Sequence, residues 1–206
     1  MKVLLVNGSP HKDGATNLAL EEVSKTLNKN GIETEIFWIG NKPISGCIGC
    51  GACFKTKRCF MNDKVNEFVE KAEKADGFIF GSAVHYAGPT GFIKSFMDRC
   101  FYGKSYAFEY KPAACVVSCR RGGASTTFDD LNKYFTITNM IVVGSQYWNQ
   151  IHGNTKEEAL KDEEGLQTMR TLANNMAWIL KSIESGQKNG IEKPVKEKRI
   201  STNFIR

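Results

Sequence analysis

The apolar residues of this chain change period as they go. Short unbroken or alternating runs give way to runs spaced three and four apart, and then return. Val3-Leu4-Leu5-Val6 is unbroken, as in a strand buried on both faces of a parallel sheet. A helix is predicted from about Thr16 to Asn30, with Leu20, Val23 and Leu27 on one face and Gly31 ending it. Ile32, Thr34, Ile36 and Trp38 alternate with polar partners and read as a strand nearer a sheet edge. Asp63 can cap a helix striped by Val65, Phe68, Val69 and Ala72. Residues 77–81 read as a third strand and residues 82–90 as a loop. Thr90 caps a helix carrying Phe92, Ile93, Phe96 and Met97. Residues 113–118 give a fourth strand, 124–136 a helix and 140–144 a fifth strand. Residues 157–185 form a long helical stretch kinked near Gly165.

Strands alternating with helices in this way specify an α/β fold, a doubly wound five-stranded parallel sheet with helices on both faces. The reading places one domain over residues 1–155, including a Cys-rich loop at 46–61. A C-terminal helix and an extended basic tail follow over 156–206. Ligands of such sheets bind beyond the C-terminal strand ends, at the switch in strand order. Segments 8–16, 40–62, 82–90, 118–124 and 145–153 should therefore share one rim.

The composition, 41% hydrophobic and 24% charged over 206 residues, excludes a disordered chain. Nothing approaches 18 consecutive apolar residues, so no membrane span is expected. Residues 1–8 make a poor signal peptide, and a cytoplasmic location is the expectation. The net charge of +6 is concentrated late: residues 181–206 hold seven Lys or Arg against three Glu. That tail reads as solvated. Its one aromatic, Phe204, falls short of the interleaved basic and aromatic surface a nucleic acid would want.

The loop after the first strand, Gly8-Ser9-Pro10-His11-Lys12-Asp13-Gly14-Ala15-Thr16-Asn17, is no Walker A loop, because Ala15 and not Lys follows the second glycine. It is not G-x-G-x-x-G either. No acid stands at the end of the second strand (Trp38-Ile39-Gly40-Asn41) to hold a dinucleotide ribose. What remains is a small-residue loop feeding a helix N-terminus, where backbone N–H groups favour an anion and Ser9, Thr16 and Asn17 add neutral donors. That suits the phosphate of flavin mononucleotide (FMN) better than a reacting triphosphate. His85 and Tyr86 stand at the rim after the third strand, where a flat aromatic ligand would find a wall. Ser118-Cys119-Arg120-Arg121-Gly122-Gly123 puts two cations on a Gly-rich turn. They are either surface charges or partners for a flavin or a nicotinamide phosphate. Tyr147-Trp148-Asn149-Gln150-Ile151-His152-Gly153 adds aromatics that either roof a ring or meet another subunit.

Four of the seven cysteines lie within thirteen residues: Cys47-x2-Cys50-x2-Cys53-x5-Cys59. The odd total and the absence of a signal peptide argue against a disulfide framework. Bacterial ferredoxin runs begin with the same tight triplet, and here all four cysteines could serve one cubane. Structural zinc prefers two separated knuckles. Spacing alone leaves an iron–sulfur cluster, zinc and redox thiols open. Gly46, Gly49 and Gly51 would let the backbone bend around a cluster.

Gly8-Ser9-Pro10, Gly14-x-Thr16-Asn17, the four cysteines, Gly81-Ser82 with Tyr86, and Lys94-x-x-x-Asp98-Arg99 together resemble the iron–sulfur flavoproteins. These are a group within the NADPH-dependent FMN reductase branch of flavodoxin-like proteins. The chain has His11 and Ala83 where such proteins often carry Arg and Pro. The resemblance implies FMN bound at Ser9, His11, Thr16, Asn17 and Leu18 after the first strand. It also implies contacts at Ala83, Val84, His85, Tyr86 and Gly88 after the third strand, and at Ser118, Arg120, Gly122 and Gly123 after the fourth. It further implies a [4Fe–4S] cluster on Cys47, Cys50, Cys53 and Cys59, and oligomers in which the two centres approach across subunits. The function so implied is an oxidoreductase that takes a hydride from NAD(P)H onto FMN. Electrons then pass singly to the cluster, or as a pair to a quinone-like or other acceptor. No catalytic side chain is assigned. A non-enzymatic electron carrier, or an FMN reductase with redox thiols and no cluster, are the alternatives. Phe101, Tyr102, Tyr106, Phe108 and Tyr110 crowd what should be a surface connection and suggest a homodimer or homotetramer.

Overall fold

In the computed structural model of the chain, residues 1–198, 200–202 and 204 are described. Arg199, Asn203, Ile205 and Arg206, and with them part of the basic tail, lie outside the described residues. Strand β1 (Lys2–Asn7) is flanked on both sides and covered on both faces, which is why Val3, Leu4, Leu5 and Val6 are all fully buried. It is followed by α1 (Ala15–Lys29), β2 (Glu33–Trp38), a short α2 (Ala52–Thr56), α3 (Lys64–Ala72) and β3 (Gly77–His85). Then come β4 (Gly88–Pro89), α4 (Gly91–Lys104), a single 3-10 turn at Ser105–Ala107, β5 (Pro112–Cys119) and α5 (Ala124–Ile137). The two-residue β6 (Ile141–Val142), β7 (Gln150–His152), α6 (Lys156–Ala159) and α7 (Glu163–Lys188) complete the chain. The strand order is β2-β1-β3-β5-β6, with every pairing along it parallel. The chain steps one way from β1 to β2 and the other way to β3, so the switch lies beside the C-terminal end of β1. No helix among the described residues is long and apolar enough to cross a membrane.

Each face of the sheet has its own core. On one, α1 and α7 cover Val3, Leu5, Ile79, Ala114 and Val116 with Leu20, Val23, Leu27, Met169, Leu172 and Met176. On the other, α3, α4 and α5 bury a cluster of phenylalanines centred on Phe68, whose ring lies 5.1–6.4 Å from those of Phe37, Phe78, Phe80, Phe96 and Phe108. Phe68→Ala should cost about 3–5 kcal/mol, since no neighbour can fill a ring-sized gap in a close-packed cluster. A urea unfolding midpoint unchanged by this substitution would contradict the packing.

The predicted caps are in place: Asp63 accepts from the Val65 N–H and Thr90 from the Ile93 N–H. Six expectations need correction. The segment 46–61 is not loop throughout, because Ala52–Thr56 forms α2. The third strand does not stop at 81, because its ladder with β5 continues to Ala83–Ser118. Residues 82–90 are then a hairpin rather than an open loop, with Val84 facing Pro89 and His85 facing Gly88. The fifth strand is broken: β6 and β7 both pair with β5, and the chain leaves the sheet between them. The departing loop is tied to α7 by Gln146–Gln167, Thr171–Gln146 and Asn175–Gly144 hydrogen bonds. The long helix is interrupted at 160–162, not at Gly165, because the Asp162 carboxylate accepts from the Gly165 N–H and starts α7 afresh. Finally, the aromatics from Phe101 to Tyr110, which begin in the last turn of α4, are not all surface groups. Phe101 and Phe108 stack at 4.4 Å inside the core, and Tyr110 is half-buried. Tyr102 and Tyr106 stay exposed.

Candidate functional site

The C-terminal ends of β1, β3 and β5 open onto a cleft of about 450 Å³, a size suited to a cofactor. Its floor is the loop from Ser9 to Thr16, and Asn7 at the end of β1 organises that loop. The fully buried Asn7 amide accepts from the Ser9 N–H (3.0 Å) and donates to the Lys12 carbonyl (3.1 Å) and to Asn17 Oδ1 (3.3 Å). Ser9 Oγ accepts from the His11 N–H (3.2 Å), and the Ser9 carbonyl accepts from Trp38 Nε1 (3.0 Å). Helix α1 then starts from Gly14 with no side-chain cap and no acidic residue in its first turn. Its first N–H groups lack intrahelical partners, and the N-terminal end carries partial positive charge. An uncapped helix end at the floor of a cleft is what a bound anion requires. Asn7→Ala would strand the Ser9 N–H and loosen this floor. The expected loss of affinity for a phosphate-bearing ligand of the cleft is about tenfold to a hundredfold, by titration calorimetry.

Thr16 and Ser118 are buried and joined Oγ1 to Oγ at 2.7 Å, fastening the floor to the end of β5. Ala83, Val84 and His85 of β3 form one wall, and Arg120 stands at the rim. Tyr86 and Ala87 make the hairpin tip, both with left-handed backbone (φ 49° and 59°), and the Tyr86 side chain is fully exposed. Non-glycine residues held there store strain of order 1 kcal/mol each. The tip rests on Gly123, where an added Cβ would stand 2.6 Å from Ala87 Cα and the backbone is itself left-handed (φ 92°).

The structure thus brings Ser9, His11, Thr16, Ala83, Val84, His85, Ser118 and Arg120 to one cleft. Six other expected contacts do not line it. Asn17 holds Asn7 and Glu21, Leu18 is buried in the core beside α7, and Tyr86 points to solvent. Gly88 pairs with His85, and Gly122 and Gly123 form the turn into α5. Sequence reasoning reached the opposite wall only at Gly153 and missed the rest of it, residues 154–157. Lys156 reaches from there to Asp13 at 2.5 Å, an ion pair joining that wall to the floor. A signal existed. Thr155-x-x-Glu158 is a capping pattern, in which Thr155 Oγ1 accepts from the Glu158 N–H and the Glu158 carboxylate accepts from the Asn154 N–H.

The four cysteines surround a separate small apolar cavity, shared with Ile48, Phe60 and Tyr102, which has no residue in common with the cleft. Gly49 and Gly51 both take left-handed backbone (φ 67° and 70°), giving the tight bends expected of them. Among the described residues, no three His, Cys, Asp or Glu side chains are gathered tightly enough for a single metal ion. A cubane attaches its four thiolates to four different irons, so it asks for sulfurs around a shared space rather than on one point. Four sulfurs with apolar walls fit that donor set. Cys59 is the most firmly held. Asn66 accepts from its N–H (3.0 Å) and donates to its carbonyl (2.9 Å), and Arg99 donates to its sulfur. Burial opposes the charge on Arg99, but hydrogen bonds to Asp63 and Cys59 outweigh it and hold the guanidinium protonated. Burial raises the Cys53 thiol above its ordinary value.

Residues 1–155 match the family described as NADPH-dependent FMN reductase. An iron-sulfur flavoprotein of Methanocaldococcus jannaschii is 33% identical over 192 residues, covering 89% of this chain and all of that one. The chain belongs to the iron–sulfur flavoprotein branch of the NADPH-dependent FMN reductase family. Solved structures agree on the fold. RosB with a bound riboflavin-5'-phosphate intermediate superimposes with a TM-score of 0.71 at 14% identity, over 100% of this chain and 93% of that one. A flavodoxin, WrbA-like protein of Agrobacterium tumefaciens gives 0.62 at 14% identity, over 88% and 98%. The fold is flavodoxin-like, and the family is one of FMN-binding oxidoreductases.

Proposed function

We propose that this protein is an NAD(P)H-dependent oxidoreductase holding FMN in the cleft and a [4Fe–4S] cluster on Cys47, Cys50, Cys53 and Cys59. The observation that carries the flavin reading is the uncapped N-terminus of α1 at the floor of a cofactor-sized cleft. Bound FMN would accept a hydride and release electrons one or two at a time, and the cluster would carry single electrons toward a quinone-like or other acceptor. Ser9, Thr16 and the backbone of 12–17 would receive the phosphate. Ala83, Val84 and His85, with the Tyr86 hairpin and the 122–123 turn around them, would flank the ring. Arg120 would meet negative charge at the rim. The domain so used spans residues 1–155, with 156–206 completing one wall of the cleft and the α7 face of the sheet. A thiolate-held cluster beside three further unpaired cysteines suits a reducing, cytoplasmic setting.

An anaerobic absorption spectrum, followed by steady NADPH oxidation with a quinone or ferricyanide, tests the reading. Flavin without NADPH turnover would leave an electron carrier instead. Ile48, Phe60 and Tyr102 line the cysteine cavity and are exposed, Phe54 packs on Tyr102 and is exposed too, and a homodimer or homotetramer would cover them. Light scattering at micromolar concentration should give two or four chains, and a monomer would remove the assembly.

A further inference from the structure

One side chain fastens both stems of the cysteine segment. Arg99 of α4 is 3% exposed, and its guanidinium donates to the Ser45 carbonyl (3.3 Å) before the cysteines. After them it donates to the Met61 carbonyl (3.1 Å) and to both Asp63 oxygens (2.6 and 2.9 Å). Nε and Nη2 also point at Cys59 Sγ, 3.4 and 3.3 Å away. An arginine has five N–H donors, and here they serve six contacts, so one is shared and none is idle. A plain ion pair would need Asp63 alone. Among the described hydrogen bonds, Cys59 is the one of the four cysteines whose sulfur accepts from a side chain.

On the reading that the four cysteines hold a cluster, the geometry points to Arg99 as its positioning residue: it presents Cys59 Sγ and raises the cluster's reduction potential through N–H···S hydrogen bonds. An added electron increases negative charge on the cluster and its sulfurs. A buried cation donating to one of those sulfurs stabilises the reduced form more than the oxidised form. Asp63 works the other way, because its carboxylate neutralises the same guanidinium. Two neighbours in one network should therefore shift the potential with opposite signs.

The experiment uses full-length protein, reconstituted anaerobically with iron and sulfide. FMN content reports folding, chelator resistance reports iron retention, and a redox titration reports the potential. Arg99→Met should lower the potential, and Arg99→Lys, which keeps the charge but loses the fork, should lower it less. Iron retention in Arg99→Met should fall about tenfold to a hundredfold, as when the partner of a metal ligand is removed. Asp63→Asn keeps a good cap on α3 and should raise the potential. This last variant carries the test if Arg99→Met fails to retain FMN. An arginine that merely held the stems would leave the potential still, or would move it the same way in both positions, and either result overturns the inference. A wild-type protein that takes up no iron overturns the cluster and this role together. A loaded wild type with unmoved variants overturns this role alone.

Discussion

Cys50→Ala should leave the protein with its FMN and without most of its iron. Wild-type protein prepared and reconstituted without oxygen should hold about four iron and four sulfide per chain, the content of one cubane on four thiolates. The effect should be near complete because one ligand in four is lost. It should also be local. Cys50 is exposed and lines a cavity that shares no residue with the cleft proposed for the flavin. Iron and flavin assays on the same sample decide the matter. Loss of both cofactors would mean that the sites are not separable. Flavin without iron in the reconstituted wild type would leave an FMN reductase with redox thiols.

Riboflavin, which lacks the phosphate, should bind the flavin-free protein at least about a hundredfold more weakly than FMN. Hydrogen bonds to a charged group contribute roughly 1.5–3 kcal/mol each, and losing two of them already reaches that factor. The open first turn of α1 offers such donors, and neither an acidic residue nor a side-chain cap competes for them. FAD should also bind more weakly, because no acid follows β2 (Trp38-Ile39-Gly40-Asn41) to hold the ribose of an adenosine half. Fluorescence titration of the three flavins gives the ranking. Equal affinity for FMN and riboflavin would remove the phosphate from the floor.

The parts of this molecule that announce themselves in the sequence are those governed by near neighbours. Asp63 and Thr90 act on N–H groups two and three residues ahead, so their helices could be placed from local chemistry. The run Val3–Val6 is apolar because the strand is buried on both faces, and the cysteines show their spacing directly. Asn7 was invisible for the opposite reason. A polar residue ending an apolar strand looks like the start of a loop, and its three bonds exist only once the loop folds back over it. Arg99 could be quoted as part of a motif, but its contact with Cys59 crosses 40 residues and depends on α4 lying beside the cysteine segment. Lys156 meets Asp13 across 143 residues, through a wall that no local pattern links to the first loop. The break in the fifth strand was equally hidden. Met140-Ile141-Val142-Val143 reads as one apolar run, and what diverts it is a set of polar contacts to a helix more than twenty residues later.

That break also bears on how the protein behaves in crowded solution. A long strand on the rim of a sheet exposes a row of unmatched N–H and C=O groups onto which a second chain can zip, which is how many folded proteins begin to aggregate. Here the rim beyond β5 consists of two residues, then a tethered excursion, then three residues. The exposed Ile141 and Val142 would be hazardous on a continuous edge, but they sit in a ladder too short to extend. Straightening the excursion into regular strand would lengthen that edge and convert the surface into a template for fibres.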